Sequence, residues 1–208
     1  MYMVFVIINM HKYLFLPVLF CLSVNLVTAQ KLDVSVTYVT ANGPSDNAII
    51  YYKKDTKLSW DDFKGEPVES GAIAAITSSG FGFNLGFRNV GGVASMTINV
   101  YCDFSKNKSW VKPARKSDYI LSHEQHHFDI SYISARQFIK KLKTAEFTTT
   151  NYRPVIERVY TDCAKEMEVL QNQYDSETLN GQLQDKQQEW ERKIDQKLLS
   201  LNTAENIL

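Results

Sequence analysis

The sequence has no excess of charge of either sign. Its 208 residues include 23 Lys and Arg and 23 Asp and Glu, so the formal net charge is zero. A chain without a basic excess lacks the electrostatic signature of a nucleic-acid-binding protein, and no nucleic-acid partner is expected. With 44% hydrophobic residues and only 9 Gly and 5 Pro, it has neither the composition of a disordered chain nor that of collagen. The length suits one globular domain, so its function has to be sought in a local site.

The N-terminal segment is the one long hydrophobic stretch. Residues 1–29 contain no acidic residue, and residues 13–27 are almost continuously apolar. The segment ends at Ala29, a small residue of the kind that a signal peptidase requires. A transmembrane anchor is the alternative, but the stretch is short for a bilayer and is interrupted by Pro17 and Asn25. We predict a signal peptide at residues 1–29, a periplasmic or secreted mature chain, and no stable membrane span after cleavage.

Cysteine is scarce, with 3 residues in the whole chain. Only Cys102 and Cys163 follow the signal segment, and export brings both into an oxidising compartment. Two interpretations are open. The pair forms a disulfide that closes a loop of about 60 residues, or the two residues are separate buried thiols, as small apolar cysteines commonly are.

The pattern of polar and apolar residues divides the rest of the chain into a β-rich part, residues 30–112, and an α-rich part, residues 113–208. In the first part, β-branched and aromatic residues alternate with polar ones, which predicts strands in an antiparallel sheet. In the second part the apolar period is about 3.6, as in helices. Three helices are predicted: Asp118 to about Lys143 with Ser117 as N-cap, near Pro154 to about Gln173, and one after Gly181. Strands followed by helices indicate a single α+β domain.

Histidine is also rare, and its placement is the strongest functional signal. The chain has 4 His, and the three that follow the signal segment all lie in residues 123–127, His-Glu-Gln-His-His. This segment matches H-E-x-x-H on the first predicted helix. A spacing of four puts His123 and His127 one turn apart on the inward face, where both imidazoles can bind one zinc ion. His126 lies off this face, and we expect it at the surface or behind the ligands.

Glu124 lies at the flank of the same helix face. It is placed to reach a water on the metal without being a ligand. Zinc lowers the pKa of such a water, and Glu124 is then the general base that takes its proton. The same carboxyl group can pass the proton to the leaving amine. The motif therefore predicts a zinc metallopeptidase acting on a peptide or protein.

A catalytic zinc normally takes three protein ligands and a water. No other His follows the signal segment, so the third ligand should be a carboxylate. Asp129 is excluded because it lies on the wrong side of the helix. Four candidates lie on or just after the second predicted helix: Asp162, Glu166, Asp175 and Glu177. The residue pattern leaves the choice among them open.

Three segments of the chain resemble the DUF922 family of bacterial proteins. They are LSWDDFKG at residues 58–65, LSHEQHHFDI at residues 121–130 and YDSETLNG at residues 174–181. The likeness covers nearly all of the chain after the signal segment, and members of this family are described as predicted secreted zinc-dependent proteases. The resemblance implies a zincin-like fold with H-E-x-x-H on the first long helix and zinc as the cofactor.

The third segment departs from the family pattern, Y-D-x-x-T-x-H-G, at one position. Asn180 stands where the family commonly has His. If that His is the family's third ligand, the resemblance implies a weakened or inactive site here. If Asp175 is the third ligand, as in aspartate-liganded zincins, the site is intact, and we favour Asp175 because a short carboxylate ending a packed helix is well fixed. Tyr174 then either stabilises the oxyanion of the reaction or belongs to the core.

Two other functions use the same residues. A zinc-stabilised envelope protein without turnover, binding a partner through its sheet or its C-terminal helix, is suggested by Asn180. An amidase that acts on cell-wall peptides would need the same arrangement as a peptidase.

Overall fold

The computed structural model describes residues 32–43, 46–91 and 93–205. The signal peptide predicted at residues 1–29 lies outside this part of the chain. Of the helices in the described ranges, none combines the length and the apolar character needed to cross a bilayer.

Strands come first along the chain and helices follow. The strands are β1 (Asp33–Tyr38), β2 (Ile49–Tyr51), β3 (Ala75–Ile76), β4 (Ser79–Val90), β5 (Val93–Ser105) and β6 (Trp110–Val111). The helices are α1 (Asp118–Lys143), α2 (Tyr152–Thr178) and α3 (Gln184–Glu205). The α+β class with strands followed by three helices, predicted from the sequence, is confirmed.

The main sheet is mixed, whereas the sequence predicted an antiparallel one. Its central strand is β5, which pairs antiparallel with β4 along its whole length and with β2 near its end. On the same edge as β2, however, β1 pairs with β5 in parallel, from Asp33 opposite Ser95 to Tyr38 opposite Val100. Parallel pairing needs a long connection, and the chain between β1 and β5 supplies one that contains three other strands. β3 and β6 form a separate antiparallel pair.

Alternate side chains of β5 form the centre of the core. Met96, Ile98, Val100, Cys102 and Phe104 are each at most 1% exposed. Because successive side chains of a strand point to opposite faces, this period of two places one face of β5 against another layer. That layer is α1, whose Phe128 ring lies 5.7 Å from the Phe104 ring. The first helix is therefore held against the sheet, and its side chains have fixed directions.

Helix α1 has the predicted bounds. Its N-cap is Ser117, whose hydroxyl accepts a hydrogen bond from the backbone N–H of Ile120 at 3.2 Å. Such a cap satisfies one of the unpaired N–H groups of the first turn. The last turn carries Lys140, Lys141 and Lys143, which complement the negative end of the helix dipole.

Helix α2 is longer than predicted, mainly at its C-terminal end. It extends to Thr178, whereas the sequence placed its end near Gln173. It is followed by three residues with positive φ: Leu179 at 51°, Asn180 at 52° and Gly181 at 77°. The added turn brings Asp175 into regular helix, and the left-handed segment turns the chain sharply towards α3.

The two cysteines of the described chain are both free and buried. Cys102 lies in β5 and Cys163 in α2, in the core formed between the sheet and the helices. Of the two interpretations that the sequence left open, the structure has the separate buried thiols.

Candidate metal centre

Three side chains converge at one point between α1 and α2. His123 Nε2 and His127 Nε2 each lie 3.0 Å from Asp175 Oδ1, and the two nitrogens are 3.2 Å apart. These three groups could hold a metal ion. In a tetrahedral zinc site, ligand atoms about 2.0–2.1 Å from the metal are about 3.3 Å from each other, close to the separations found here.

The two helices bring the three groups together in different ways. His123 and His127 are one turn apart, so their rings project from the same side of α1 with centroids 4.8 Å apart. Asp175 comes from the last turn of α2, and the Tyr174 ring beside it stacks on the His123 imidazole at 4.5 Å. The contact of α2 with α1 thus sets the distance of the carboxylate from the two imidazoles.

Two glutamines fix the protonation of the imidazoles on the side away from the cluster. Gln171 Nε2 donates to the carbonyl oxygen of His127, so its Oε1 faces His127 Nδ1. Gln187 Nε2 donates to the carboxylate of Glu191, so its Oε1 faces His123 Nδ1 at 2.8 Å. An amide oxygen only accepts hydrogen bonds, so each Nδ1 must carry a proton and donate it. In the neutral rings both Nε2 lone pairs therefore point into the cluster.

This arrangement explains the need for a positive charge at the centre of the cluster. Two nitrogen lone pairs and a carboxylate oxygen face one another at about 3 Å, and only a proton or a metal cation can lie between them. Burial opposes ionisation of Asp175, but the hydrogen bonds and charges of the two imidazoles outweigh it and hold its pKa well below the usual range. Burial likewise opposes protonation of His127, but Asp175 and Glu124 raise its pKa above the ordinary value. The donor set fits a divalent metal such as zinc.

Glu124 lies beside the cluster but is not part of it. Its side chain is only 3% exposed, and Oε2 is buried with no hydrogen-bond partner among the described residues. Burial raises the pKa of this carboxyl group, and the charges of His127 and His123 partly offset the effect. A buried carboxyl oxygen without a partner is unusual in a folded protein and marks a place where a ligand or water is expected.

A cleft of about 360 Å³ opens at the cluster. Glu124 and the three residues of the cluster line its floor. Its walls come from β3 and the residues around it, from the start of β4, from α1, and from α2 with the turn that follows it. They include Ile73, Ala74, Ala75, Ile76, Thr77, Ser79, Ile120, Met167, Glu168, Gln171, Asn172 and Asn180. The cleft therefore opens the potential metal site to solvent, and Glu124 lines it next to the cluster.

Tyr174 has a structural position rather than a catalytic one. It is fully buried, its hydroxyl accepts a hydrogen bond from Gln187 Nε2 at 2.6 Å, and it is not among the residues that line the cleft. An oxyanion in the cleft cannot reach a hydroxyl placed behind the imidazoles. Of the two roles considered from the sequence, we therefore assign Tyr174 to the core, where its ring supports His123.

His126 and Asp129 lie on the other side of α1, away from the cluster. His126 is buried and does not lie at the surface, the first of the two positions expected for it. Its Nδ1 donates to the carbonyl oxygen of Ser122, and its Nε2 lies 3.7 Å from Asp195 Oδ1 of α3. Asp129 accepts hydrogen bonds from Tyr52 and Gln125, so its exclusion as a ligand agrees with the structure.

The other carboxylates considered as third ligand do not reach the imidazoles. Glu166 forms an ion pair with Lys141, and Glu177 accepts hydrogen bonds from Gln173 and Trp190. Among the described residues, one group of His, Cys, Asp or Glu side chains is close enough to share an ion. This group contains Asp175 and does not contain Asp162.

The segment that departs from the DUF922 pattern packs directly against the cluster. A Cβ atom on Gly181 would lie 3.2 Å from Cγ of His123, so the chain approaches the imidazole more closely than most residues would allow. Asn180 lines the cleft beside it. His123, His127 and Asp175 form the cluster without any atom of residue 180.

Sequence reasoning missed the two glutamines. Gln187 carried a weak signal, since it is a polar residue on the otherwise apolar face of α3 that contains Trp190 and Ile194. A fully buried polar group requires a partner, and the partner is His123. Gln171 is half-buried and carried no such signal.

Comparison with known proteins gives no relative. No family model, no curated protein and no solved structure matches the chain. The resemblance to the DUF922 family and the relation to zincins therefore stay predictions, and the functional argument rests on the geometry of the cleft.

If the cluster holds a zinc ion, replacing Gln171 with Met is expected to weaken its binding by about 10–100-fold, the usual effect of losing a hydrogen-bond partner of a metal-ligating His. The change removes the acceptor for His127 Nδ1 and leaves the three ligand groups in place. Zinc affinity is measured by competition with a chromophoric chelator. The control is Asn172→Ala, which changes the next residue of the same cleft wall. Equal affinities in the two variants would contradict a positioning role for Gln171.

Proposed function

We propose that the chain is an exported zinc-dependent metallopeptidase, with His123, His127 and Asp175 as zinc ligands and Glu124 as general base. One observation carries the proposal: three convergent ligand atoms lie next to a buried carboxyl oxygen without a partner, at the floor of an open cleft. A purely structural metal site is normally closed by four protein ligands, whereas this one has three and is accessible.

The reaction assigns a separate task to each group. Zinc in such a site lowers the pKa of a water and polarises a carbonyl group. Glu124 accepts one proton of the water while the water oxygen forms a bond to the carbonyl carbon. It then donates this proton to the nitrogen of the leaving amine as the C–N bond breaks. Gln171 and Gln187 hold the imidazoles with Nε2 towards the cluster, and Tyr174 packs behind His123.

The sequence supports the choice of a peptide as substrate. The H-E-x-x-H motif is typical of metallopeptidases, and the segments that resemble DUF922 include the residues of the cluster. Export is part of the proposal because of the predicted signal peptide. An amidase acting on cell-wall peptides would use the same groups, so the nature of the substrate distinguishes the two.

The position of the cluster also supports a second candidate function. The ligand atoms join α1 to α2, so a bound metal would cross-link the two helices and stabilise the fold without any turnover. This alternative is a zinc-stabilised envelope protein that binds a partner.

The metal content and the activity of the purified chain without residues 1–29 test these proposals together. We expect about one zinc per chain in the wild type and none in His127→Ala, measured by elemental mass spectrometry. We also expect cleavage of a diverse peptide library that stops on chelation and returns with zinc. Full zinc occupancy without any cleavage would favour the envelope protein, and cleavage of cell-wall peptides alone would favour the amidase.

A further inference from the structure

Apart from the imidazoles of His123 and His127, the ionisable side chains that line the cleft are all acidic. They are Glu124, Glu168 and Asp175, and no Lys or Arg lines the cleft within the described part of the chain. This contrasts with the chain as a whole, in which acidic and basic residues are equal in number. Among the residues described, the cleft therefore has acidic residues and no lysine or arginine in its lining, on a protein that is neutral overall.

Glu168 differs from the other two acidic residues because it has no role in metal binding or in the proposed hydrolysis. It is exposed on α2, seven residues before Asp175, and forms no hydrogen bond or ion pair with the described residues. At a rise of 1.5 Å per residue, its backbone lies about 10 Å from that of Asp175 along the same side of the helix. Its carboxylate is thus on the wall of the cleft, away from the metal ligands.

The sum of the charges at the site indicates which substrate side chains the cleft would attract. If the site holds a divalent cation, as in the proposed function, its charge offsets those of Asp175 and Glu124. The charge of Glu168 then remains, on an exposed side chain at the wall of the cleft. A cationic side chain of the substrate would gain a partner there, and an anionic one would be repelled.

We propose that Glu168 selects substrates with a Lys or Arg about three residues from the bond that is hydrolysed. An extended peptide advances about 3.3 Å per residue, so the distance of about 10 Å between the metal ligand and Glu168 corresponds to three residues. This inference rests on the metal site of the proposed function but not on turnover, because a peptide anchored on the metal tests it by binding alone.

The probes are peptides that carry a metal-chelating hydroxamate group at one end. Each set contains three peptides that differ only in the third residue from the hydroxamate, which is Lys, Gln or Glu. One set has the hydroxamate at the C-terminal end and the other at the N-terminal end, so that both directions along the cleft are covered. Dissociation constants are measured by calorimetry on the zinc-loaded wild type and on Glu168→Gln, Glu168→Lys and Glu157→Gln.

In at least one set, we expect the wild type to bind the Lys peptide about fivefold more tightly than the Gln peptide, and the Glu peptide most weakly. Glu168→Gln should remove this order and Glu168→Lys should reverse it. Glu157→Gln makes the same change of charge on the same side of α2, about 16 Å from Glu168 along the helix and further from the metal ligands, and should keep the wild-type order.

The proposal is overturned if neither set shows the order, if the order survives in Glu168→Gln, or if no peptide binds to the zinc-loaded protein. The proposed hydrolysis is judged separately, by cleavage of the peptide library. A preference for Lys that depends on Glu168 in a protein that cleaves nothing would refute the peptidase and support charge selection by the cleft.

Discussion

Replacing Glu124 with Gln in the zinc-loaded protein is expected to slow peptide hydrolysis by at least about 100-fold and to leave zinc bound. Gln has the same size as Glu and can occupy the same place at the floor of the cleft, but it cannot accept the proton of the attacking water. Glu124 lies outside the cluster of His123, His127 and Asp175, so the affinity for the metal should change little. Initial rates are compared at equal, measured zinc content.

The control for this experiment is Glu157→Gln, a change of the same kind at an exposed position of α2, which should keep the wild-type rate. Turnover at the wild-type rate by fully loaded Glu124→Gln would refute the assignment of the base. Loss of zinc from this variant would show instead that the carboxylate of Glu124 takes part in binding the metal.

The part of the site that the sequence predicted depends on local geometry. His123 and His127 are four residues apart on a helix whose bounds, Asp118 and Lys143, agreed with the prediction. Helical spacing then places the two side chains one turn apart on the same face of the helix. The position of Glu124 could be predicted from the same helix. The sequence placed it at the flank of the inward face, and in the structure it lines the cleft beside the cluster.

The rest of the site depends on contacts between distant parts of the chain. Gln171 and Gln187 lie 44 and 64 residues after the imidazoles that they contact, on two different helices. No spacing rule connects them to the motif. The burial of His126 is of the same kind, because it depends on the packing of α3 over the far side of α1.

The order of strands illustrates the same limit at the level of the fold. Alternation in the sequence indicates that β1 and β5 are strands, but the partner and direction of a strand are decided by which faces the core can cover. An antiparallel sheet is the common arrangement, and it holds for β4 and β2 against β5. The parallel pairing of β1 lies beyond what pattern alone can predict.

Replacing Asp175 with Asn is expected to weaken zinc binding by more than about 100-fold, since even the loss of a partner behind a ligand costs 10–100-fold. The amide keeps the shape of the side chain but removes the negative charge that two imidazoles share at 3.0 Å. Zinc affinity is again measured by chelator competition. A second measurement is thermal unfolding with and without zinc, because a ligand that binds only the folded protein stabilises it by RT ln(1 + [L]/Kd), about 2.7 kcal/mol at 100 times Kd.

The other acidic residues considered as third ligand are the matched controls. Asp162→Asn, Glu166→Gln and Glu177→Gln each remove one negative charge from α2 without changing the cluster. We expect all three to bind zinc like the wild type and to keep the stabilisation by zinc, which Asp175→Asn should lose. Because the charge removed is the same in every variant, a difference confined to Asp175 must come from coordination rather than from the general field of the helix. Zinc binding that survives in Asp175→Asn and fails in Glu177→Gln would show that Glu177, two residues further along α2, is the third ligand.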